Sequence, residues 1–283
     1  MLQSPGHLAT ERPFWFVNYL EISNLFVISL LIKKIKKLMN KFNKILKKLC
    51  PPILWDFIKM LKYKTNVKYY GLNQLDKKIE TFVNFDNGFF VELGANDGIN
   101  QSNTYYFEKY RGWNGVLIEP IGQKYLECIK NRSNKNKIFC NACVSFNYNK
   151  KFVQMTYSNL MTISNNLESD LENSSEHLQK GMKHLQEGEK NYDFGCVADT
   201  LNNILLKSNA PKKIDLLSLD VEGSEMEVLK GINHKQYRFK YLCIETRDYK
   251  KLSNYLIQND YILLKKLSFH DYLFEDNTQI KQQ

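Results

Sequence analysis

An acid at the end of a short apolar run, followed by a glycine-flanked turn, is the feature of this sequence best suited to chemistry. The sequence FFVELGANDG spans residues 89–98 and places Glu92 near the end of a predicted strand. The residues that follow, Ser102–Glu108, are typical of a helix. A strand, a tight glycine turn and a helix form the opening unit of a doubly wound α/β domain.

The composition of this turn favours a ligand without phosphate. A phosphate-binding loop would show GxGxxG or GxxxxGK[ST], and residues 94–98 show neither pattern. The turn offers instead the carboxylate of Glu92 and the Asn96-Asp97 pair, which suit a ligand with hydroxyl groups and a positive charge. S-adenosylmethionine has this chemistry, since it carries a sulfonium, an α-ammonium and a ribose.

A second acid strengthens this interpretation. The apolar run Gly115–Ile118 predicts a second buried strand that ends in Glu119, 21 residues after Gly98. In dinucleotide-type folds an acid at about this distance accepts hydrogen bonds from ribose hydroxyls. The alternative is an ordinary surface glutamate at a strand end.

The positive charge of the chain is concentrated outside the predicted α/β domain. The 283 residues carry a net charge of +10, but residues 33–48 contain eight lysines and no acid, which leaves +2 for the rest. The charge therefore gives no support to nucleic-acid binding by the domain. The six cysteines are scattered, and Cys140 and Cys143 form a lone CxxC, which indicates reduced thiols and a reducing, cytoplasmic location.

The first 50 residues predict a separate hydrophobic and lysine-rich helical segment. Residues 14–32 are largely apolar, but Glu21 makes a membrane-spanning helix unfavourable. Residues 32–49 alternate apolar residues and lysines at helical spacing, a pattern typical of a helix on a membrane surface. We therefore predict membrane-surface contact through residues 14–49; a solvated helix, or translation beginning at Met39, is the alternative.

The remainder predicts a parallel α/β sheet with one interruption. Strands are expected at 137–141, 197–201 and 214–220, with a helix over 125–131 and another after 201. Residues 146–194 are polar and contain no strong strand pattern, which indicates a lid or substrate-binding excursion or, equally, a flexible solvated loop. A terminal hairpin is predicted over 261–265 and 271–275.

The block IDLLSLDVEGSE, residues 214–225, ends a predicted strand in Asp220 and Glu222. Open α/β sheets carry their chemistry at the carboxyl ends of their strands, so these two acids are the candidates for a catalytic base. Cofactor binding or helix capping is the alternative role. No metal site is assigned, although Glu245, which ends the next strand, could converge with them.

Together these stretches resemble the FkbM-type methyltransferases. The likeness rests on residues 90–98 with Ser102–Thr104, on residues 116–120, on residues 141–145 and on residues 214–225, and it covers roughly residues 70–275. It implies a class I methyltransferase Rossmann-like α/β fold, a seven-stranded sheet with helices on both faces and an antiparallel last strand. Residues 51–283 would form this domain, with the excursion at 146–194, after the segment 1–50.

The resemblance also implies site residues, a cofactor and an acceptor class. S-adenosylmethionine would be bound by Glu92, Gly94, Ala95, Asn96, Asp97, Gly98, Glu119, Asn141 and Ala142. Asp220 and Glu222 would face the methionine end or the acceptor, expected to be a hydroxyl on a saccharide or small molecule. His177 and His184 in the excursion are further candidates for base or substrate contact. The alternatives are a non-catalytic, membrane-associated module and a nicotinamide-dependent oxidoreductase.

Overall fold

The computed structural model describes residues 68–185 and 188–278. The predicted N-terminal segment and its membrane-surface contact lie outside these residues and stay predictions. Within the described ranges, no helix combines the length and apolar character that a membrane crossing requires.

The described residues alternate strands and helices through most of their length. The helices are α1 (Leu75–Glu80), α2 (Tyr105–Arg111), α3 (Gly122–Asn131), α4 (Ser174–Met182), α5 (Leu201–Lys207), α6 (Glu225–Leu229) and α7 (Tyr249–Gln258). The strands are β1 (Phe89–Leu93), β2 (Asn114–Ile118), β3 (Lys137–Phe139), β4 (Ala142–Cys143), β5 (Phe152–Tyr157), β6 (Ile163–Ser164), β7 (Tyr192–Asp199), β8 (Lys213–Leu219), β9 (Arg238–Glu245), β10 (Tyr261–Lys266) and β11 (Asp271–Asp276).

Seven of these strands form one sheet in the order β10-β11-β9-β8-β1-β2-β3. Strands β3, β2, β1, β8 and β9 run parallel. Strand β11 lies between β9 and β10 and is antiparallel to both. Strands β10 and β11 form the predicted terminal hairpin. The predicted seven-stranded sheet with an antiparallel last strand is confirmed.

Helices cover both faces of the large sheet, because its central strands are apolar on both sides. Alternate residues of β1 divide between two cores, with Val91 in one and Phe90 in the other. Helices α5, α6 and α7 pack on the first face, and α1 and α2 pack on the second. Because β1, β2, β8 and β9 run parallel, their carboxyl ends lie at one edge of the sheet, where ligands bind in open α/β sheets.

The excursion is more structured than the sequence indicated. We expected no strong strand over residues 146–194, but β5 and β6 lie there and β7 begins there at Tyr192. These strands form a second sheet in the order β4-β7-β5-β6, with helix α4 between β6 and β7. The pattern was missed because β5 alternates buried and exposed residues while its exposed positions are mixed in character. The predicted strand at 197–201 overlaps the end of the longer β7, which stops at Asp199, and Leu201 already belongs to α5.

Candidate functional site

The loop after β1 is shaped by close backbone contacts. Gly94 has a φ of +75°, and a Cβ built on it would lie 1.9 Å from the carbonyl oxygen of Asp220. No other residue type fits this position without displacing the β8–α6 loop. Glycine is therefore required at position 94 because two loops cross closely at the sheet edge.

Glu92 is buried beneath this loop and does not line either of the pockets described below. Its carboxylate accepts hydrogen bonds from the hydroxyls of Ser102 and Thr104 and from the backbone of Asn103. It also pairs with Arg132, whose Nη1 lies 3.2 Å from Glu92 Oε2. Glu92 thus shapes the predicted cofactor pocket from below, by fixing the loop.

The remaining residues of the turn either support the loop or line the cleft beside it. Ala95 is buried in the core, and Gly98 packs against Arg132. Asp97 accepts hydrogen bonds from the backbone of Ile99 and Asn100. Among the predicted turn residues, Gly94 and Asn96 line the cleft at the sheet edge.

Glu119 lies at the end of β2 and lines the same cleft. Its Oε2 accepts a hydrogen bond of 2.7 Å from the backbone nitrogen of Asn96, and its Oε1 accepts one of 2.9 Å from Ile121. The side chain is only 3% exposed. Burial raises the pKa of Glu119 to about 7, against the lowering effect of the two backbone donors. Each oxygen keeps a further lone pair for a ligand.

We name the cleft at the sheet edge the inner cleft; it holds about 700 Å³ of empty space, including the part open to solvent. It is lined by Gly94, Asn96, Asn100, Gln101, Glu119, Pro120, Ile121, Met155, Asn159, Leu160, Thr162, Asp220, Val221 and Glu222. Three loops of the large sheet therefore build it together with the excursion.

An apolar pocket adjoins the inner cleft. The two share Gly94, Pro120, Met155 and Val221, and the apolar pocket adds Asn141, Ala142 and Cys143 among its lining residues. The predicted residues Asn141 and Ala142 therefore lie beside Gly94 and Glu119, although they follow β3 in the chain. A narrow apolar pocket next to a carboxylate suits a flat ring attached to a sugar.

The excursion contributes residues that the sequence did not indicate. Met155, Asn159, Leu160 and Thr162 form one wall of the inner cleft. The excursion is also tied to the sheet edge by Asp170, which accepts hydrogen bonds from Thr246 Oγ1 and from the backbone nitrogen of Arg247. Its placement agrees with the predicted lid or substrate-binding role, which stays a prediction.

Asp220 and Glu222 face the inner cleft, as predicted for the strand end. Asp220 is exposed to the solvent of the cleft, although protein surrounds it on its other sides. Burial, and then the neighbouring carboxylates of Glu245 and Glu222, raises the pKa of Asp220 well above its ordinary value. Glu222 has a φ of +54°, a backbone strain that non-glycine residues adopt mainly where the surroundings impose it.

Two cationic or ionisable side chains contact Glu222 from outside the inner cleft. His177 Nε2 lies 2.9 Å from Glu222 Oε2, and Arg247 Nη2 lies 3.3 Å from the same oxygen. Arg247 was not singled out from the sequence, although it follows the strand-end acid Glu245 by two residues. His177 and Arg247 line a second, wider depression, the open cleft, together with His270.

The two excursion histidines therefore differ. His177 is buried at the junction of the two clefts, whereas His184 is exposed and lines neither of them.

Cys140 and Cys143 form no disulfide, and burial raises the pKa of the Cys143 thiol, in agreement with an unreactive buried thiol.

Comparison with known proteins identifies the family to which this domain is similar. The family model for the methyltransferase FkbM domain matches residues 92–273. No curated protein matches the sequence. Among solved structures, similar chains include the methyltransferase FkbM from Methylobacillus flagellatus KT, with 14% identity, a TM-score of 0.41, and coverage of 67% of this chain and 44% of that one. A SAM dependent methyltransferase from Aquifex aeolicus shows 10% identity, a TM-score of 0.35, and coverage of 77% of this chain and 94% of that one.

Proposed function

The chain belongs to the FkbM methyltransferase family, and on that premise we propose that it transfers the methyl group of S-adenosylmethionine to a hydroxyl of a saccharide or small-molecule acceptor. The observation that carries the proposal is the pairing of Glu119 with the Gly94 loop at one edge of the sheet. A buried carboxylate there can accept both ribose hydroxyls, while the absence of a phosphate-binding motif suits a cofactor without phosphate.

The neighbouring surfaces support the rest of the cofactor assignment. The apolar pocket beside Asn141 and Ala142 would hold the adenine, and the polar end of the inner cleft would hold the methionine. The carboxylates of Asp220 and Glu222 at that end favour a cationic group, such as the sulfonium or the α-ammonium.

The reaction requires little covalent chemistry from the protein. The acceptor oxygen attacks the methyl carbon as the carbon–sulfur bond breaks, and the sulfonium becomes a neutral thioether. The protein holds the two reactants in line and excludes water. The hydroxyl proton must pass to a base, and Asp220 and Glu222 are the carboxylates at the cleft that could receive it.

The experiment that tests the proposal is calorimetric titration of the full chain with S-adenosylmethionine and, separately, with NAD. Micromolar binding of the first and none of the second is expected. Transfer of labelled methyl from S-adenosylmethionine to a panel of saccharides and small alcohols would then identify the acceptor class. Binding of NAD without binding of S-adenosylmethionine would contradict the proposal.

The affinity for S-adenosylmethionine should depend on pH through Glu119. Because burial raises the pKa of Glu119 to about 7, the carboxylate carries a proton below that pH and accepts fewer hydrogen bonds from the ribose. Affinity should therefore fall as pH falls, by about tenfold between pH 8 and pH 6 if only the ionised form binds. Titration of Glu119→Gln over the same range is the control, since this variant should bind weakly with no such dependence. A wild-type affinity independent of pH would exclude Glu119 from the contact.

A further inference from the structure

A pair of side chains spans the wall between the two clefts. Glu222 lines the inner cleft and not the open cleft, whereas His177 lines the open cleft and not the inner one. Nε2 of His177 lies 2.9 Å from Oε2 of Glu222, so the imidazole and the carboxylate form a pair. The proposed site of methyl transfer and the open cleft are therefore joined through this contact.

The elements on both sides of the pair hold it in place. The His177 side chain is only 7% exposed, and Ser158 Oγ ties its helix α4 to the turn before β6 by donating a hydrogen bond of 2.8 Å to a backbone carbonyl of that helix. Glu222 has a left-handed backbone, and a Cβ on the next residue, Gly223, would meet the side chain of Ser169 in the excursion. A fixed imidazole beside a carboxylate is the arrangement in which proteins orient a general base.

The carboxylates of the inner cleft are less suited than His177 to take a proton from an acceptor. Oε2 of Glu222 already faces two partners, since Nη2 of Arg247 lies 3.3 Å from the same oxygen. Burial, and then the carboxylates of Glu245 and Glu222, raises the pKa of Asp220 well above its ordinary value, so Asp220 keeps a proton of its own over a wider range of pH. Histidine is the side chain that most often transfers protons in enzymes, because its charge changes near neutral pH.

The lining of the open cleft indicates a ligand with many polar groups. Ten of its eleven lining residues are polar or charged, and Leu171 is the exception. They include a carboxylate, Glu172, an amide, Asn173, and an ammonium group, Lys180, so the lining offers both donors and acceptors of hydrogen bonds. A mainly apolar acceptor would remove water from these groups without replacing its hydrogen bonds, which costs free energy. Of the two acceptor classes, a saccharide therefore fits the open cleft better than an apolar alcohol.

We propose that the acceptor is a saccharide bound in the open cleft, and that His177, oriented by Glu222, accepts the proton of the hydroxyl that is methylated. This inference rests on the proposed function, because it needs S-adenosylmethionine in the inner cleft as the methyl donor. The proton passes to Nδ1, the imidazole nitrogen that is not turned to Glu222, and the hydroxyl oxygen forms its bond to the methyl carbon while the carbon–sulfur electron pair remains on sulfur. Glu222 stabilises the imidazolium until the proton passes to solvent.

The test is methyl transfer by the full chain from S-adenosylmethionine that carries a labelled methyl group. The acceptors are hexoses, deoxyhexoses, N-acetylhexosamines and their disaccharides, with cyclohexanol and 1-hexanol as apolar alcohols. We expect transfer to a saccharide and little or none to the alcohols. His177→Gln can still donate a hydrogen bond to Glu222 but accepts no proton, so it should lower kcat by at least about 100-fold with little change in KM for the cofactor. His184→Gln is the matched control, because His184 is an exposed histidine of the excursion that lines neither cleft.

Rescue by free imidazole separates a base from a structural side chain. His177→Ala removes the ring and leaves space for imidazole, which should raise kcat of this variant and not that of His184→Ala. Thermal melting and calorimetry with S-adenosylmethionine show whether each variant keeps the fold and the cofactor site. A loss of kcat that imidazole does not restore would assign His177 a structural role and overturn the inference.

The other outcomes distinguish this inference from the proposed function. An unchanged kcat in His177→Gln would overturn the inference, and so would faster transfer to the apolar alcohols than to every saccharide. Binding of S-adenosylmethionine without transfer to any saccharide would overturn it as well, but would leave the methyl-donor assignment intact. Absence of cofactor binding by the wild-type chain would refute the proposed function itself.

Discussion

Replacing Arg132 with methionine is expected to lower the free energy of unfolding by about 3–5 kcal/mol, because the change leaves the buried carboxylate of Glu92 and the largely buried carboxylate of Glu108 without their cation. The Arg132 side chain is fully buried. Its Nε lies 2.6 Å from Glu108 Oε2, and its Nη1 lies 3.2 Å from Glu92 Oε2. It also donates to the carbonyl oxygen of Gly98, so it fixes the loop after β1 directly.

Denaturation by urea, followed by circular dichroism, measures this loss. Arg111→Met is the matched control. Arg111 also pairs with two carboxylates, those of Glu80 and Asp86, but its own side chain is 20% exposed to solvent. A partly solvated pair of this kind contributes about 0–1 kcal/mol. Equal destabilisation by the two variants would show that the buried Arg132 cluster contributes no more to the free energy of unfolding than the partly exposed Arg111 pairs.

Replacing Glu119 with alanine is expected to weaken binding of S-adenosylmethionine by about 100-fold. The proposed contact joins a buried carboxylate to two ribose hydroxyls, and hydrogen bonds to charged groups contribute about 1.5–3 kcal/mol each. The variant also frees the backbone nitrogens of Asn96 and Ile121, which the carboxylate holds in place. Both effects act in the same direction on affinity.

Calorimetric titration of the full-length variant measures the change in affinity. The fold should survive, because burial raises the pKa of the removed carboxyl to about 7, and its ionisation in the folded protein costs stability as pH rises from the ordinary carboxyl range to that value. Glu127→Gln is the control, since Glu127 lies on α3, pairs with Lys124 and does not line the inner cleft. If Glu119→Ala changed the affinity for S-adenosylmethionine by less than about threefold, the proposed contact between Glu119 and the ribose would be contradicted.

The excursion connects these predictions to function. It supplies one wall of the inner cleft through Met155 and Thr162, and it supplies His177 at the boundary with the open cleft. Asp170 accepts hydrogen bonds from the β9–α7 loop, and its backbone nitrogen donates to Gly223 O. The open cleft is thus a second surface next to the proposed chemistry, formed largely by excursion residues and by Arg247.

The sequence by itself determined the architecture of the large sheet. The predicted end of β8 and the predicted terminal hairpin are correct to within a residue. These elements are local in origin, because short apolar runs ended by an acid or a glycine turn carry their own signal. The same local signal predicted that Gly94, Glu119 and Asp220 would meet at one edge, since parallel strands end on the same side.

Tertiary structure alone decided which partners these residues have. Glu92 pairs with Arg132, 40 residues later, and Glu222 contacts His177, 45 residues earlier. The local pattern does not mark Arg132, and it does not indicate that His177 contacts Glu222, because such contacts depend on how separate elements pack. The strands of the excursion were missed for a related reason: β5 has a mixed exposed face, and its register is set by the pairing with β7 rather than by its own sequence.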